Sequence, residues 1–285
     1  MSKELTNLSY IKELSRRHGF TFDKKFGQNF IVNPGICPKI AEYSGIDETC
    51  GVIEIGTGIG VLTKELALRA KKVVAIEIDD SLLPLLEETL GEFDNIKIII
   101  RDVLKVDLAQ LISDEFPNMK VMVCANLPYY ITSPIIMKLL EDKLDIQSIT
   151  VMVQKEAAVR ICAKEKSREI GAISLAVNYY STPVVCFNVS PGSFFPPPKV
   201  TSSVIRLDVN KQPTVCPKDE KNMFKLIRAA FQQRRKTFVN SVASTLSIPK
   251  PQVESALLSI GENPMVRPER LCLKQFSDLS DILFL

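Results

Sequence analysis

Gly51-Val-Ile-Glu-Ile55, followed at once by Gly56-Thr-Gly-Ile-Gly60, is a short apolar run that stops on three closely spaced glycines. Such a run bounded by glycine fits a strand buried on both faces, and the next stretch, Leu62–Ala70, places its apolar residues at helical spacing. Glycines at a strand-to-helix turn let the backbone bend sharply and come close to a ligand. The spacing is GxGxG. A dinucleotide fingerprint needs a further glycine at 61, where Val61 stands, which argues against a nicotinamide-dependent dehydrogenase.

Further along, Lys72–Ile78, Ile96–Ile100, Val121–Ala125 and Ile149–Val153 repeat the apolar pattern, and Ser81–Leu90, Leu104–Ile112 and Pro134–Leu140 between them have helical spacing. Ser81 reads as a helix N-cap, and Ser133-Pro134 as a cap followed by proline at the first helical position. Strands alternating with helices predict an α/β fold whose parallel sheet is covered on both faces. Val184–Val189 and Ser202–Val209 are joined by a proline-rich loop without a helix, which predicts an antiparallel pair at a sheet edge. Asn210–Asp219 reads as a linker, and only helical patterns follow Lys221. The expected division is one domain over 1–210 and a small helical domain over 211–285.

The 285 residues, 46% hydrophobic and 24% charged, suit a globular protein with a core of ordinary size. No apolar run approaches the roughly 20 residues of a membrane span, and Met1–Tyr10 lacks a signal-peptide core, so a cytoplasmic protein without a membrane partner is expected. The seven cysteines are odd in number, widely spaced and without a CxxC pair, and His18 is the single histidine. This argues against a disulfide framework, a zinc site and a Ser–His–Asp hydrolase, and no metal is expected. The net charge of +3 is unevenly spread. Lys221–Asn240 holds Lys221, Lys225, Arg228, Arg234, Arg235 and Lys236 with no acid, and Lys155–Arg168 is also rich in bases. With Arg16, Arg17, Lys24 and Lys25, this pattern points to nucleic acid, and Arg228, Arg234, Arg235 and Lys236 are the expected RNA contacts.

Two acids sharpen the glycine turn. Glu77, 21 residues after Gly56, ends the second predicted strand, where a carboxylate accepts ribose hydroxyls; Asp102 ends the third. Asn126-Leu-Pro-Tyr129 ends the fourth. An adenine exocyclic amine is a poor nucleophile because its lone pair is delocalised into the ring. If the Asn126 side-chain oxygen and the Leu127 carbonyl accept its two N–H bonds, that lone pair is localised and aimed at an electrophilic methyl group. Tyr129 offers a flat face for base stacking. Phe194 and Phe195, before Pro196-Pro197-Pro198, either clamp the other face of an extruded base or pack beneath their own loop.

With these residues in place, the chain resembles the small-subunit ribosomal RNA adenine dimethyltransferases (the KsgA or RsmA family). The resemblance covers nearly the whole chain. It rests on Phe26-Gly-Gln-Asn-Phe30, Glu54-Ile-Gly-Thr-Gly58, Glu77-Ile-Asp79, Asp102-Val-Leu104, Asn126-Leu-Pro-Tyr129, Val153-Gln-Lys-Glu156 and Phe194-Phe-Pro-Pro-Pro-Lys-Val200. It implies a Rossmann-like, S-adenosylmethionine-dependent methyltransferase domain with a small all-helical C-terminal domain. The implied cofactor contacts are Asn29, Ile31, Gly56, Gly58, Glu77, Asp102 and Asn126, with Gln28 supporting the first loop. Glu77 holds the ribose and Asp102 the cofactor's adenine amino group, while Tyr129 and Phe194 sandwich the target base. The implied substrate is a pair of adjacent adenines in a hairpin near the 3′ end of 16S rRNA, within a small ribosomal subunit assembly intermediate. Thr57 stands where the family commonly has proline, Arg101 where it has glycine, and Ile31 where it has leucine; none of these removes a polar contact. Two other readings stay open. The large-subunit (23S) rRNA adenine methyltransferases of macrolide resistance share the cofactor and target motifs, although Val153–Glu156 and Phe194–Val200 look more like the small-subunit family. An assembly factor whose binding matters more than its catalysis is the other, and the intact Asn126–Tyr129 tetrad weighs against it.

Overall fold

The computed structural model describes residues 5–20, 29–233 and 235–284. Gln28, Arg234, Lys24 and Lys25 lie outside the described residues. The chain divides into two compact units, Met1–Ala158 with Val184–Val209 and Val159–Pro183 with Asn210–Leu285.

The first unit opens with α1 (Leu8–Arg17), β1 (Phe30–Ile31) and α2 (Ile36–Ser44). It then alternates through β2 (Cys50–Ile55), α3 (Val61–Ala67), β3 (Lys72–Glu77), α4 (Leu83–Leu90), β4 (Ile96–Ile100), α5 (Leu108–Glu115), β5 (Lys120–Asn126), α6 (Thr132–Glu141) and β6 (Ser148–Gln154). After α7 (Lys155–Ile161) and α8 (Ala172–Tyr180) come β7 (Ser181–Val189), the short β8 (Phe194–Phe195) and β9 (Ser202–Val209). Seven strands form one sheet in the order β4-β3-β2-β5-β6-β9-β7. The pairings from β4 across to β6 are parallel, whereas β9 runs antiparallel to β6, with Ser148 opposite Asp208 and Gln154 opposite Ser202. The two late strands do lie at the sheet edge, with β9 inserted between β6 and β7.

Every residue of β2 is buried, as a central parallel strand covered on both faces requires. The strand order turns back between β2 and β5, and in open α/β sheets the crevice beyond the carboxyl ends at such a point binds ligands. Two apolar clusters fix the walls of that crevice. Ile40, Val52, Leu62, Leu66 and Val73 pack with Ile31 and Phe194; Ile11 and Leu14 of α1 pack with Phe30, Ile59, Leu85, Leu86 and Leu90. Each fully buried side chain of this kind stabilises the fold by about 1.5–3 kcal/mol. The second cluster thus ties α1 to α4 beneath the glycine turn.

Helix starts differ from the sequence expectation where a carboxylate outcompetes a hydroxyl. Asp79, not Ser81, takes the capping position: its side chain accepts from Ser81 N (3.2 Å) and opens a short 3-10 turn before α4. An ionised acceptor makes the stronger bond. Leu104–Ile112 is likewise divided into a 3-10 turn capped by Asp102 and α5 capped by Asp107, whose carboxylate accepts from Gln110 N at 3.0 Å. Ser133 lies within α6, which starts at Thr132 without a side-chain cap.

The second unit contains α9 (Glu220–Phe231), α10 (Phe238–Leu246), α11 (Lys250–Ser259) and α12 (Leu273–Leu283). It also takes in 159–183, which the sequence placed with the sheet. The reason is the buried pair Tyr179 and Tyr180 at the end of α8. Their hydroxyls donate to Glu220 at 3.1 and 2.7 Å, and their rings meet Phe224 with centroids 5.2 and 5.6 Å away. A buried phenol needs a hydrogen-bond partner, and α9 provides it. The opposite face of α9 carries Lys221, Lys225 and Arg228 at i, i+4 and i+7, all exposed.

Candidate active site

Beyond the carboxyl ends of β2, β3 and β5 lies a cleft of about 1050 Å³, counted out to bulk solvent. Asn29, Ile31, Gly56, Gly58, Glu77, Asp102, Asn126, Leu127 and Tyr129, all expected at the site from sequence, line it together. Phe194 does not.

Gly56 and Gly58 sit at φ +80° and +54°, where an L side chain is strained. A Cβ on Gly58 would approach the Phe30 ring to 3.0 Å, whereas one on Gly56 would meet nothing closer than the Asn126 carbonyl at 3.9 Å. The turn is thus packed tight on the Phe30 side and left open on the cleft side, as close approach of a ligand to the backbone requires.

Glu77 is only 6% exposed and its carboxylate is fully engaged. Oε1 accepts from Ile78 N (2.8 Å) and Asp79 N (3.0 Å); Oε2 accepts from Thr57 Oγ1 (3.0 Å) and Gly58 N (3.2 Å). The side chain therefore locks the ends of β2 and β3 to each other. Asp102 follows β4 and uses one oxygen to accept from Leu104 N (3.0 Å); Lys105 Nζ is 4.0 Å from the other. The cap thus takes only one of its two oxygens. Glu54, two residues before the turn, is completely buried, and among the described residues neither of its oxygens has a hydrogen-bond partner. Burial pushes its carboxyl from 4.5 up to about 8; Thr63 pulls the other way without reaching hydrogen-bonding geometry, and the charge of Glu77 adds to the rise.

On the β5 side, Asn126 Nδ2 donates to the Asn29 carbonyl at 3.3 Å. With the amide oriented this way, Oδ1 is the side chain's remaining polar atom and carries no bond among the described residues. Leu127 is anchored by its N–H to the Met152 carbonyl (3.2 Å). The Tyr129 hydroxyl meets Ser202 Oγ on β9 at 2.7 Å, and burial raises its pKa while that bond opposes the rise. The ring is thereby held at both ends, by its own main chain and by the neighbouring antiparallel strand.

Phe194 is 3% exposed, packed in the core and paired through β8 with β1, Ile31 opposite Phe194 and Phe30 opposite Phe195. The expectation that Phe194 presents a stacking face is therefore not met in this structure: its apolar ring is satisfied by the core, the second of the two roles open to it. The aromatic ring that does reach the rim is Tyr130, 63% exposed, beside Tyr129. Tyr130, Ile78 and Ser202 were not singled out by sequence; the doubled tyrosine at 129–130 was the available signal for the first.

Arg228, Arg235 and Lys236 are exposed residues of the second unit, with no ion pair among the described residues. Arg17 is engaged differently: Glu88 holds it at 2.7 Å, and His18 Nε2 also lies 2.7 Å from that carboxylate. Among the described residues no group of three His, Cys, Asp or Glu side chains is placed to hold a metal ion, and no helix is long and apolar enough to cross a membrane.

Known proteins resemble this chain along its whole length. A family model described as ribosomal RNA adenine dimethylase matches residues 19–256. A ribosomal RNA small subunit methyltransferase A from Geobacillus sp. (strain WCH70) is 45% identical over 99% of both chains. The protein of the same name from Geobacillus thermodenitrificans is 46% identical over 99% of this chain and 98% of its own. Among solved structures, a dimethyladenosine transferase from Plasmodium falciparum superposes with a TM-score of 0.73 at 27% identity, over 88% of this chain and 95% of that one. The 23S rRNA methyltransferase ErmE superposes at 0.66 and 25% identity, over 90% and 100%. A glycine turn, a buried carboxylate at the end of β3 and an Asn-Leu-Pro-Tyr end at one crevice, on a chain matched along its length in this way, place it in the ribosomal RNA adenine dimethylase family.

Proposed function

We propose that this protein transfers methyl groups to the N6 amines of two adjacent adenines near the 3′ end of 16S rRNA, giving N6,N6-dimethyladenosine on a small-subunit assembly intermediate in the cytoplasm. The observation that carries the reading is Asn126 at the end of β5, held by Asn29 through its NH₂ so that its oxygen stays available beside Tyr129. S-adenosylmethionine supplies the electrophilic methyl group. The open face of Gly56 and the acids Glu77 and Asp102 fit its adenosine moiety.

Asn126 Oδ1 and the Leu127 carbonyl accept the two N–H bonds of the target amine, which localises its lone pair on the nitrogen and aims it at the methyl group. After one transfer a single N–H remains, and one acceptor suffices to orient it for the second. No side chain is needed to remove a proton before attack, since the amine becomes acidic once it carries the positive charge. Tyr129 stacks on the base, and the exposed ring of Tyr130 extends that surface to the rim. Arg228, Arg234, Arg235 and Lys236 of the helical unit bind rRNA phosphates. Charge reversal at Arg228 and Arg235 should weaken subunit binding and flatten its salt dependence while leaving cofactor affinity unchanged. A salt slope equal to that of the unaltered protein excludes that face.

The small-subunit target is favoured over the large-subunit one by the 45% and 46% identical full-length relatives named for the small subunit, against 25% for ErmE. The deciding experiment maps dimethyladenosine in both rRNAs from cells lacking the gene. Loss of two adjacent 16S modifications is expected; unchanged 16S and altered 23S modification would reverse the assignment.

A further inference from the structure

Glu77 accepts four hydrogen bonds from within the protein. An ionised carboxylate has about four lone-pair sites, two on each oxygen. Here all four are taken by Ile78 N, Asp79 N, Gly58 N and the Thr57 hydroxyl. Three of these donors are main-chain groups fixed by the ends of β2 and β3. Only the Thr57 hydroxyl turns about a single bond, and a second acceptor, the Gly58 carbonyl, already lies 3.5 Å from it. Thr57 is itself buried and lines the cleft.

We propose that the Thr57 hydroxyl is a placeholder for one ribose hydroxyl of the cofactor: it keeps Glu77 satisfied in the free protein and turns away to the Gly58 carbonyl when the cofactor binds. The inference rests on Glu77 as the ribose-holding group. It assigns to Thr57 a part in setting cofactor affinity, by exchange rather than by direct attraction. A buried acceptor without a donor is unfavourable, so the free site is stabilised by Thr57 and the incoming hydroxyl gains only the difference between two similar bonds.

The test is calorimetric titration of the full chain with S-adenosylhomocysteine and with its 2′-deoxy and 3′-deoxy analogues. Thr57→Val removes the competing hydroxyl at nearly constant shape. It should bind the parent ligand about three- to tenfold more tightly, with one of the two deoxy analogues failing to share the gain. Thr57→Ser keeps a rotatable hydroxyl and should behave like the unaltered protein. A folded Thr57→Val protein that binds more weakly, or with unchanged affinity, overturns the proposal. A crystal structure of the unaltered protein with S-adenosylhomocysteine is independent of any folding defect: the Thr57 Oγ1–Glu77 distance should open beyond 3.5 Å, and a retained bond alongside both ribose hydroxyls overturns the idea. If the unaltered protein binds no S-adenosylhomocysteine, the cofactor reading and the placeholder fall together. Binding that is intact but indifferent to Thr57 removes the placeholder alone.

Discussion

On the β2–β3 side of the cleft each lone pair of Glu77 already has a donor, and Asp102 is half occupied by the turn it caps. On the β5 side, Asn126 Oδ1 has no bond among the described residues and Tyr130 stands 63% exposed at the rim. In the proposed function, one half binds by exchanging hydrogen bonds it already has and the other by forming bonds it lacks. Exchange gives small net free energies and a site that stays in shape between turnovers. Forming new bonds concentrates discrimination where the right base must supply two donors in the right plane. The cleft therefore separates holding from choosing.

The sharpest way to break this contrast is at Asn126. Asn126→Ala should slow single-turnover methylation of assembled small subunits by about 10²–10³-fold, the usual size for one preorganised polar contact. A fully active variant would leave the β5 side without its proposed role. Glu77→Ala comes next. Loss of the carboxylate frees the Gly58, Ile78 and Asp79 N–H groups that it holds at the ends of β2 and β3, so the cofactor half loses its shape as well as the small exchange gain. S-adenosylhomocysteine binding should weaken roughly 30-fold or more in calorimetry, and an unchanged affinity in a folded variant removes Glu77 from the cofactor half. Tyr129→Ala should lose stacking worth roughly 1–3 kcal/mol, seen as reduced occupancy by RNA. Tyr129→Phe and Ser202→Ala both delete the 2.7 Å contact that steadies the ring and should each reduce activity only about two- to threefold, by the modest net value of one hydrogen bond. Combining them should add nothing further, and additive losses would show that Ser202 acts elsewhere.

The smallest effect on methylation is expected at Glu54, where the readout is stability. Its folded value of about 8 lies above its ordinary 4.5, so between those values the carboxyl is protonated in the folded chain and ionised in the unfolded one. Stability from this group is thus full below about 4.5 and declines as pH rises to about 8. Glu54→Gln removes the titration. Urea melts across that window should show the stability difference moving steadily in favour of the variant, then levelling; a difference independent of pH would mean that Glu54 is ionised in its buried site.

Much of this was legible because strands and glycine turns are local signals. β2 to β6 fall where the β-branched runs put them, and the residues expected at strand ends meet in one cleft. What the sequence misplaced depends on partners far along the chain. The apolar run of α8 looks like any helix against a sheet, and only the Tyr179 and Tyr180 bonds to Glu220, about forty residues later, assign it to the helical unit. Ser81 and Asp79 are both plausible caps, and acceptor strength decides between them. Phe194 carries the side chain for stacking, yet its pairing with β1 puts it in the core. Thr57 reads as one more turn residue, and its bond to Glu77 is invisible until β2 and β3 lie side by side.

The pairing of β1 with β8 reaches further than the two residues it aligns. Val32 N–H bonds to the Ser193 carbonyl (2.8 Å) and Asn33 Nδ2 to Ser193 Oγ (3.3 Å), so segments 160 positions apart share one small ribbon. The Phe30 ring of that ribbon abuts Gly58, and Asn29 beside it steadies Asn126. A change on the 193–195 loop is therefore felt at the glycine turn and at the Asn126 amide at once. A domain graft that imports the aromatic loop without residues 29–33 should lose both halves of the cleft in one step.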